Sequence, residues 1–206
     1  MPRDGAMTLA AVVLAAGRSA RMGEANKLLL DLGSEPVLAR TLRQVQACGF
    51  EDAIVVTGHE AEEVESLARC AGFRTTQAEA WREGLGASLR AGVAAAGVEV
   101  DGYVIVLGDM PLVQPDTVKR LVETFAAADR PIVRPIRQKQ PGHPVLFHRV
   151  YRDELLALRG DEGAQAVVLR HRDRLHLVET DDAGVVLDAD TPEALQTLRD
   201  RLETMR

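Results

Sequence analysis

Between the apolar run that ends at Ala15 and the leucines that begin at Leu28, the chain reads AGRSARMGEANK, placing Gly17 and Gly23 among Arg18, Arg21 and Lys27. Glycine lets backbone amides approach an anion closely, and arginine and lysine supply the charge that neutralises it, so this loop suits a polyphosphate. It carries neither the GxGxxG of a dinucleotide fold nor the GxxxxGK[ST] of a P-loop. A solvated basic loop is the competing reading of the composition alone.

Three further features bear chemistry. In VIVLGDMP, Asp109 follows an apolar run and one glycine, where a carboxylate at a strand end can bridge a hard cation to phosphate oxygens. The alternative is a turn aspartate ahead of a proline. In VLDADTPE, Asp188 and Asp190 precede a capped helix start, so one can serve the turn while the other faces a cleft. In PGHPVLF, His143 sits between glycine and proline, which fits a substrate contact and a simple turn equally well.

Other marked residues rank lower. Arg134, Arg137 and Lys139 lie close together in RPIRQKQPGHP; a solvated face is their default, and beside a cleft they would receive an acidic substrate. His59, His148, His171 and His176 have no ligand spacing, and Trp81 reads as core rather than a stacking platform. Cys48 and Cys70 each read as the inner side of a helix end, which favours packing over a disulfide or a zinc site. No G-x-S-x-G elbow or Cys/His arrangement points to covalent catalysis.

These residues need a scaffold that gathers loop ends. Leu9–Ala15 and 102–111 read as strands buried on both faces, 53–58 as a third, and 131–136 as a fourth. Helical periodicity covers 35–49, 60–72, 116–129 and 191–202, the last with Thr191 as N-cap and Pro192 in its first turn; a helix over 86–97 is expected to start with help from Ser88. The segment 73–77 is a short strand, 143–147 and 175–180 are extended, and 154–160 and 163–172 are helical. The alternation predicts an α/β fold: a doubly wound, mostly parallel sheet flanked by helices, in one domain over 1–206 with 1–7 as a flexible tail. In such sheets ligands bind at the carboxyl ends of the strands, where the marked loops fall.

The chain has 206 residues, long enough for a substantial core, and 31 acidic against 25 basic residues, a net charge of -6. That balance argues against a broad nucleic-acid footprint, and no apolar stretch reaches the length of a membrane span. Arg3 before the first apolar run has the outline of a secretion signal, but Asp4 and the shortness of the run argue against one, so the expected location is cytoplasmic.

Taken in order, LAAGRSARMGEANKLL, GASLRAG, VLGDMPLV, PGHPVLF, GDEGA and LDADTPEAL resemble the MobA-like nucleotidyltransferases, and within them the molybdenum cofactor cytidylyltransferases, over nearly the whole chain. The resemblance implies a Rossmann-like nucleotidyltransferase fold. It also implies a reaction in which the phosphate of molybdopterin cofactor attacks the α-phosphorus of CTP and pyrophosphate leaves.

Carried over by position, Leu14, Ala15, Ala16 and Gly17 contact the nucleotide, Arg21 takes the outer phosphates and Lys27 the α-phosphate side. Gly86 and Ser88 lie near the nucleotide. Asp109 holds Mg2+, with Asp188 as the second carboxylate and Asp190 the alternative to it, and His143 lies on the acceptor side. The substrates are CTP and molybdopterin cofactor; a molybdenum hydroxylase receiving the product is the implied partner, with neither nucleic acid nor membrane involved.

The guanylyl branch of the family usually has a second glycine where this chain has Ala16, whose methyl crowds a purine more than cytosine. Two departures stand out: Ala20 where serine is frequent, and Gln165 where arginine is common. The competing readings are a guanylyltransferase, a nucleotidyltransferase for another acceptor such as a sugar or polyol phosphate, and a noncatalytic cofactor carrier.

Overall fold

The structure, a computed structural model, describes residues 7–23 and 25–204. The expected N-terminal tail lies outside the described residues except for Met7, which packs half-buried against the core. Eight strands form a single sheet. They are β1 (Leu9–Ala15), β2 (Asp52–Thr57), β3 (Arg74–Gln77), β4 (Gly102–Leu107), β5 (Ile132–Arg137), β6 (Gln140–Pro141), β7 (Val145–His148) and β8 (Leu175–Glu179).

The order across the sheet is β3-β2-β1-β4-β7-β5-β6, with β8 on the other partner edge of β5. Strands β1, β2, β3 and β4 pair in parallel, as do β5 and β8, whereas β7 runs antiparallel between β4 and β5. The expected doubly wound sheet is therefore present with an antiparallel insertion, made by the short hairpin of β5 and β6 and the return of β7.

Strand β1 is buried along its whole length, and its alternating residues feed two cores. Ala10, Val12 and Leu14 face α3 (Leu85–Ala96), α5 (Arg152–Ala157) and α6 (Gln165–Arg170), which contribute Leu89, Val93, Leu155 and Val167. Leu9, Ala11 and Val13 face α1 (Val37–Ala47), α2 (Ala61–Cys70) and α4 (Pro115–Ala127) through Leu38, Leu42, Val64 and Leu121. The last helix, α7 (Pro192–Thr204), packs Leu195 and Leu198 on Leu32, Val37 and Ala189. This two-sided burial is why β1 and β4 read as unbroken apolar runs.

Two expectations fail. Helix α3 starts at Leu85, entered through Gly84 at φ 119°, so Ser88 is not its cap but a buried residue in its first turns. Cys70 ends α2 and is exposed, so only Cys48, half-buried beside Val118 and Met110, packs as expected; both thiols are free. Thr191 does cap α7, its hydroxyl accepting from the Ala194 N–H at 3.2 Å.

Candidate active site

The carboxyl ends of β1 and β4 open into a cleft of roughly 640 Å³. Gly108 sets its floor: its N–H donates to the Leu14 carbonyl at 2.9 Å and its carbonyl accepts from the Thr41 hydroxyl at 2.9 Å, which ties the loop after β4 to both β1 and α1. A methyl at Gly108 would press on the Leu14 carbonyl, so glycine is what allows this close approach. The next residue, Asp109, is buried with its carboxylate toward the cleft, and its carbonyl accepts from the Ala189 N–H at 3.0 Å. That bond lays 188–190 alongside the end of β4.

Lys27 meets this carboxylate from the opposite wall. Its ammonium donates to Asp109 Oδ2 and to Asp190 Oδ1, so one cation is shared by two acids from distant parts of the chain. Burial disfavours the charged amine, but the two carboxylates more than offset it and hold the Lys27 pKa above its ordinary value. Asp188 accepts from the Asp190 N–H at 3.2 Å, and burial together with the negative charges of Asp109 and Asp190 raises its carboxyl pKa. Arg21, largely exposed, pairs with Asp190 Oδ2 at 2.8 Å and so stands at the rim.

The basic loop is held by residues that composition alone did not single out. Ser19 adopts a left-handed conformation at φ 54°, its carbonyl accepts from the Met22 N–H at 2.8 Å, and its hydroxyl accepts from the Lys27 N–H at 3.1 Å. Buried Asn26 caps the single 3-10 turn Lys27–Leu29 by accepting from the Leu28 N–H at 3.1 Å. The signal for Asn26 was its place directly before the lysine, since an Asx side chain there satisfies the amides that would otherwise be orphaned.

Leu14, Ala15, Ala16, Gly17, Lys27, Ser88 and Asp109 all line the cleft. Gly86 stands just behind the lining, where its N–H donates to the Gly160 carbonyl at 2.9 Å and an added methyl would meet the 159–162 backbone at 3.1 Å. The GDEGA turn thus braces the entry to α3. Arg21, Asp188 and His143 do not line the cleft; Asp188 meets it only through its bond to the Asp190 N–H, and His143 immediately precedes β7.

Trp81, read from the sequence as core, is half-buried: it packs against the core beside α3 and also lines the far wall of the cleft. Its ring lies 5.4 Å from that of His59 and beneath the Arg82 guanidinium at 4.5 Å. Trp81 is the chain's single tryptophan and sits in a polar segment, which was the available signal.

On the other side of Asp109, His143 has an Nδ1 that is buried without a hydrogen-bond partner. Burial, then the neighbouring Arg134 charge, push its pKa down to about 4 against the opposing pull of the Ile105 carbonyl and Asp109, so the ring is neutral. Its backbone is fixed by donation to the Val185 carbonyl at 2.9 Å.

An acid–lysine pair beyond the ends of β1 and β4, beside a glycine- and arginine-bearing loop, is compatible with a nucleotidyltransferase, and similarity to known proteins establishes that class. Residues 11–175 match the MobA-like NTP transferase domain, and the chain belongs to that family. Rv0371c from Mycobacterium tuberculosis H37Rv superposes with a TM-score of 0.84 at 33% identity, covering 95% of this chain and 98% of that one. A nucleotidyl transferase from Methanothermobacter thermautotroptrophicus, Mth528, superposes with a TM-score of 0.84 at 28% identity over 97% and 99%. Rv0371C has also been solved in complex with manganese, and that structure superposes with a TM-score of 0.80 at 30% identity over 94% and 99%.

Among curated sequences, the bifunctional protein GlmU of Streptomyces avermitilis is 32% identical over 167 residues, 80% of this chain and 33% of that protein. The chain therefore spans about a third of the length of that relative. Among the described residues, no helix is long and apolar enough to cross a membrane.

Proposed function

We propose that this nucleotidyltransferase moves CMP from CTP to the phosphate of molybdopterin cofactor. An acceptor phosphate oxygen bonds to the α-phosphorus of CTP, the bond from that phosphorus to the α,β-bridging oxygen breaks, and pyrophosphate carries away the electron pair. The observation that carries the reading is Lys27 held between Asp109 and Asp190 at the mouth of a cleft walled by the glycine-bearing loop. Once nucleotide phosphates enter, the lysine has a stronger anionic partner at hand, and Arg21 at the rim is placed for the outer phosphates.

The donor set suits a hard divalent cation. Asp109, Asp188 and Asp190 offer only carboxylate oxygens, and Asp188 is already pressed by the charges of the other two. Among the described residues no group of three His, Cys, Asp or Glu side chains is placed to hold a metal ion. A Mg2+ ion here would therefore take one or two carboxylates and depend on phosphate oxygens and water for the rest of its shell. Asp109 and Asp188 would hold it, with Asp190 the alternative to Asp188, and the cation would neutralise charge building on the phosphates in transfer. No general base is needed, because the attacking phosphate is already ionised. The chain's own contribution is alignment and charge: Lys27 and Arg21 orient the triphosphate.

CTP is favoured over GTP on the resemblance at Ala16, which lines the cleft with its carbonyl accepting from the His59 N–H at 3.2 Å and its methyl packed toward Gly58. The test is Asp109→Ala. We expect pyrophosphate release with CTP, Mg2+ and molybdenum-loaded molybdopterin to be abolished while the circular dichroism spectrum is unchanged; a variant with near-normal rates removes Asp109 from the reaction.

A further inference from the structure

Arg134 is buried on β5, on the same face as Ile132 and its neighbours Val145 and Phe147. A guanidinium withdrawn from water ordinarily has a carboxylate beside it, because an unpaired buried charge is costly. Among the described residues Arg134 has none: its hydrogen bonds run from Nε and Nη2 to the Gly142 carbonyl, at 3.3 and 3.0 Å, and from Nη1 to Gln165 Oε1 at 2.8 Å. Both acceptors are neutral, and burial lowers its pKa. Of the guanidinium's five N–H groups, one on each Nη has no acceptor among the described residues.

The neighbourhood repeats the pattern. His143 follows Gly142 directly, lies within the electrostatic influence of both Arg134 and Asp109, and keeps a buried Nδ1 with no partner. A buried cation with spare donors, beside an orphaned imidazole and across Asp109 from the triphosphate loop, is an arrangement built for an incoming anion.

We propose that Arg134 is the anion-recognising residue of the acceptor subsite, its free Nη hydrogens engaging the phosphate monoester of the acceptor while Gly142 and Gln165 hold the guanidinium in place. This rests on the nucleotidyl-transfer reading for the direction of the chemistry but not on the identity of the acceptor. Arg134 thereby selects for a phosphorylated acceptor over its dephosphorylated form, because a neutral group would leave the charge unpaired.

The experiment is a titration of the intact protein with inorganic phosphate, with a non-hydrolysable CTP analogue and Mg2+ filling the nucleotide side, read by the imidazole resonances of His143 in histidine-labelled protein. We expect a saturable shift in the wild type, weakened about tenfold or more in Arg134→Gln, and by less in Arg134→Lys, which keeps the charge but not the fork. The affinity for the CTP analogue should be unchanged in both.

In turnover, Arg134→Gln should raise the KM for molybdopterin about tenfold and leave that for CTP unaltered. If the wild type does not turn over that acceptor, the acceptor identity fails while the phosphate titration still decides the role of Arg134. If Arg134→Gln does not fold, Arg134→Lys carries the comparison. An absent His143 response in the wild type, or equal responses in wild type and both variants, would overturn the proposal.

Discussion

The most informative residue is Lys27, because its two partners come from segments 82 and 163 positions away along the chain and meet only in the folded state. Replacing it with alanine leaves Asp109 without its counter-charge and Asp190 with Arg21 alone. We expect Lys27→Ala to lower kcat about a hundredfold or more, with the affinity for CTP falling less, since the lysine acts chiefly where charge builds in transfer. Single-turnover pyrophosphate release set beside equilibrium nucleotide binding makes that separation; an unchanged kcat would mark a bystander.

His143 gives a prediction in pH. Its pKa falls from 6.5 in the unfolded chain to about 4 in the folded one, so between those values the unfolded chain binds a proton that the folded chain does not. The contribution to stability is complete above pH 6.5 and is lost as the pH falls toward 4. Urea midpoints measured across that window should fall more steeply for the wild type than for His143→Gln.

At the scale of elements, the strands and helices that bury apolar stripes were legible from the sequence, because period and burial coincide there. Strand β1 shows this along its full length, as do α1 and α4 with their buried Leu38, Leu42, Leu121 and Phe125. The insertion of β6 and β7 was not, because a two-residue strand and a four-residue strand give too little pattern to set a direction. Ser88 misled for a physical reason: a serine near a helix start resembles a cap, yet the entry is made by Gly84, whose backbone is pinned against Gly160 and Asp161.

The site followed the same division. The charged residues Lys27 and Asp109 were visible by type, whereas Ser19, Asn26 and Trp81 depend on tertiary placement. Packing between elements is testable at Gly92, where α3 crosses the sheet and a methyl would collide with Val12 and sit 2.8 Å from Val56. Gly92→Ala should destabilise the protein by about 1–3 kcal/mol in urea unfolding, despite alanine's better helix propensity; no loss would mean that α3 shifts freely on the sheet.

The whole molecule opens a cleft at the carboxyl ends of its central parallel strands, lined by the loop after β1 and by Asp109, and the proposed acceptor anchor, Arg134 with His143, lies outside that lining. That division matches a reaction between two anionic substrates, each of which needs its own cationic anchor. A carrier would have no use for a lysine shared by two acids in such a cleft, which is why the proposed function is catalytic.

The measurement that bears most directly on this account is pyrophosphate release by the purified protein with Mg2+, molybdenum-loaded molybdopterin and each of the four nucleoside triphosphates in turn, followed by repeats with sugar and polyol phosphates. We expect release with CTP and molybdopterin, and far less with GTP. Release with GTP equal to or above that with CTP, or release only with another acceptor, would contradict the cytidylyl reading, and silence with every pair would contradict catalysis of nucleotidyl transfer to these acceptors.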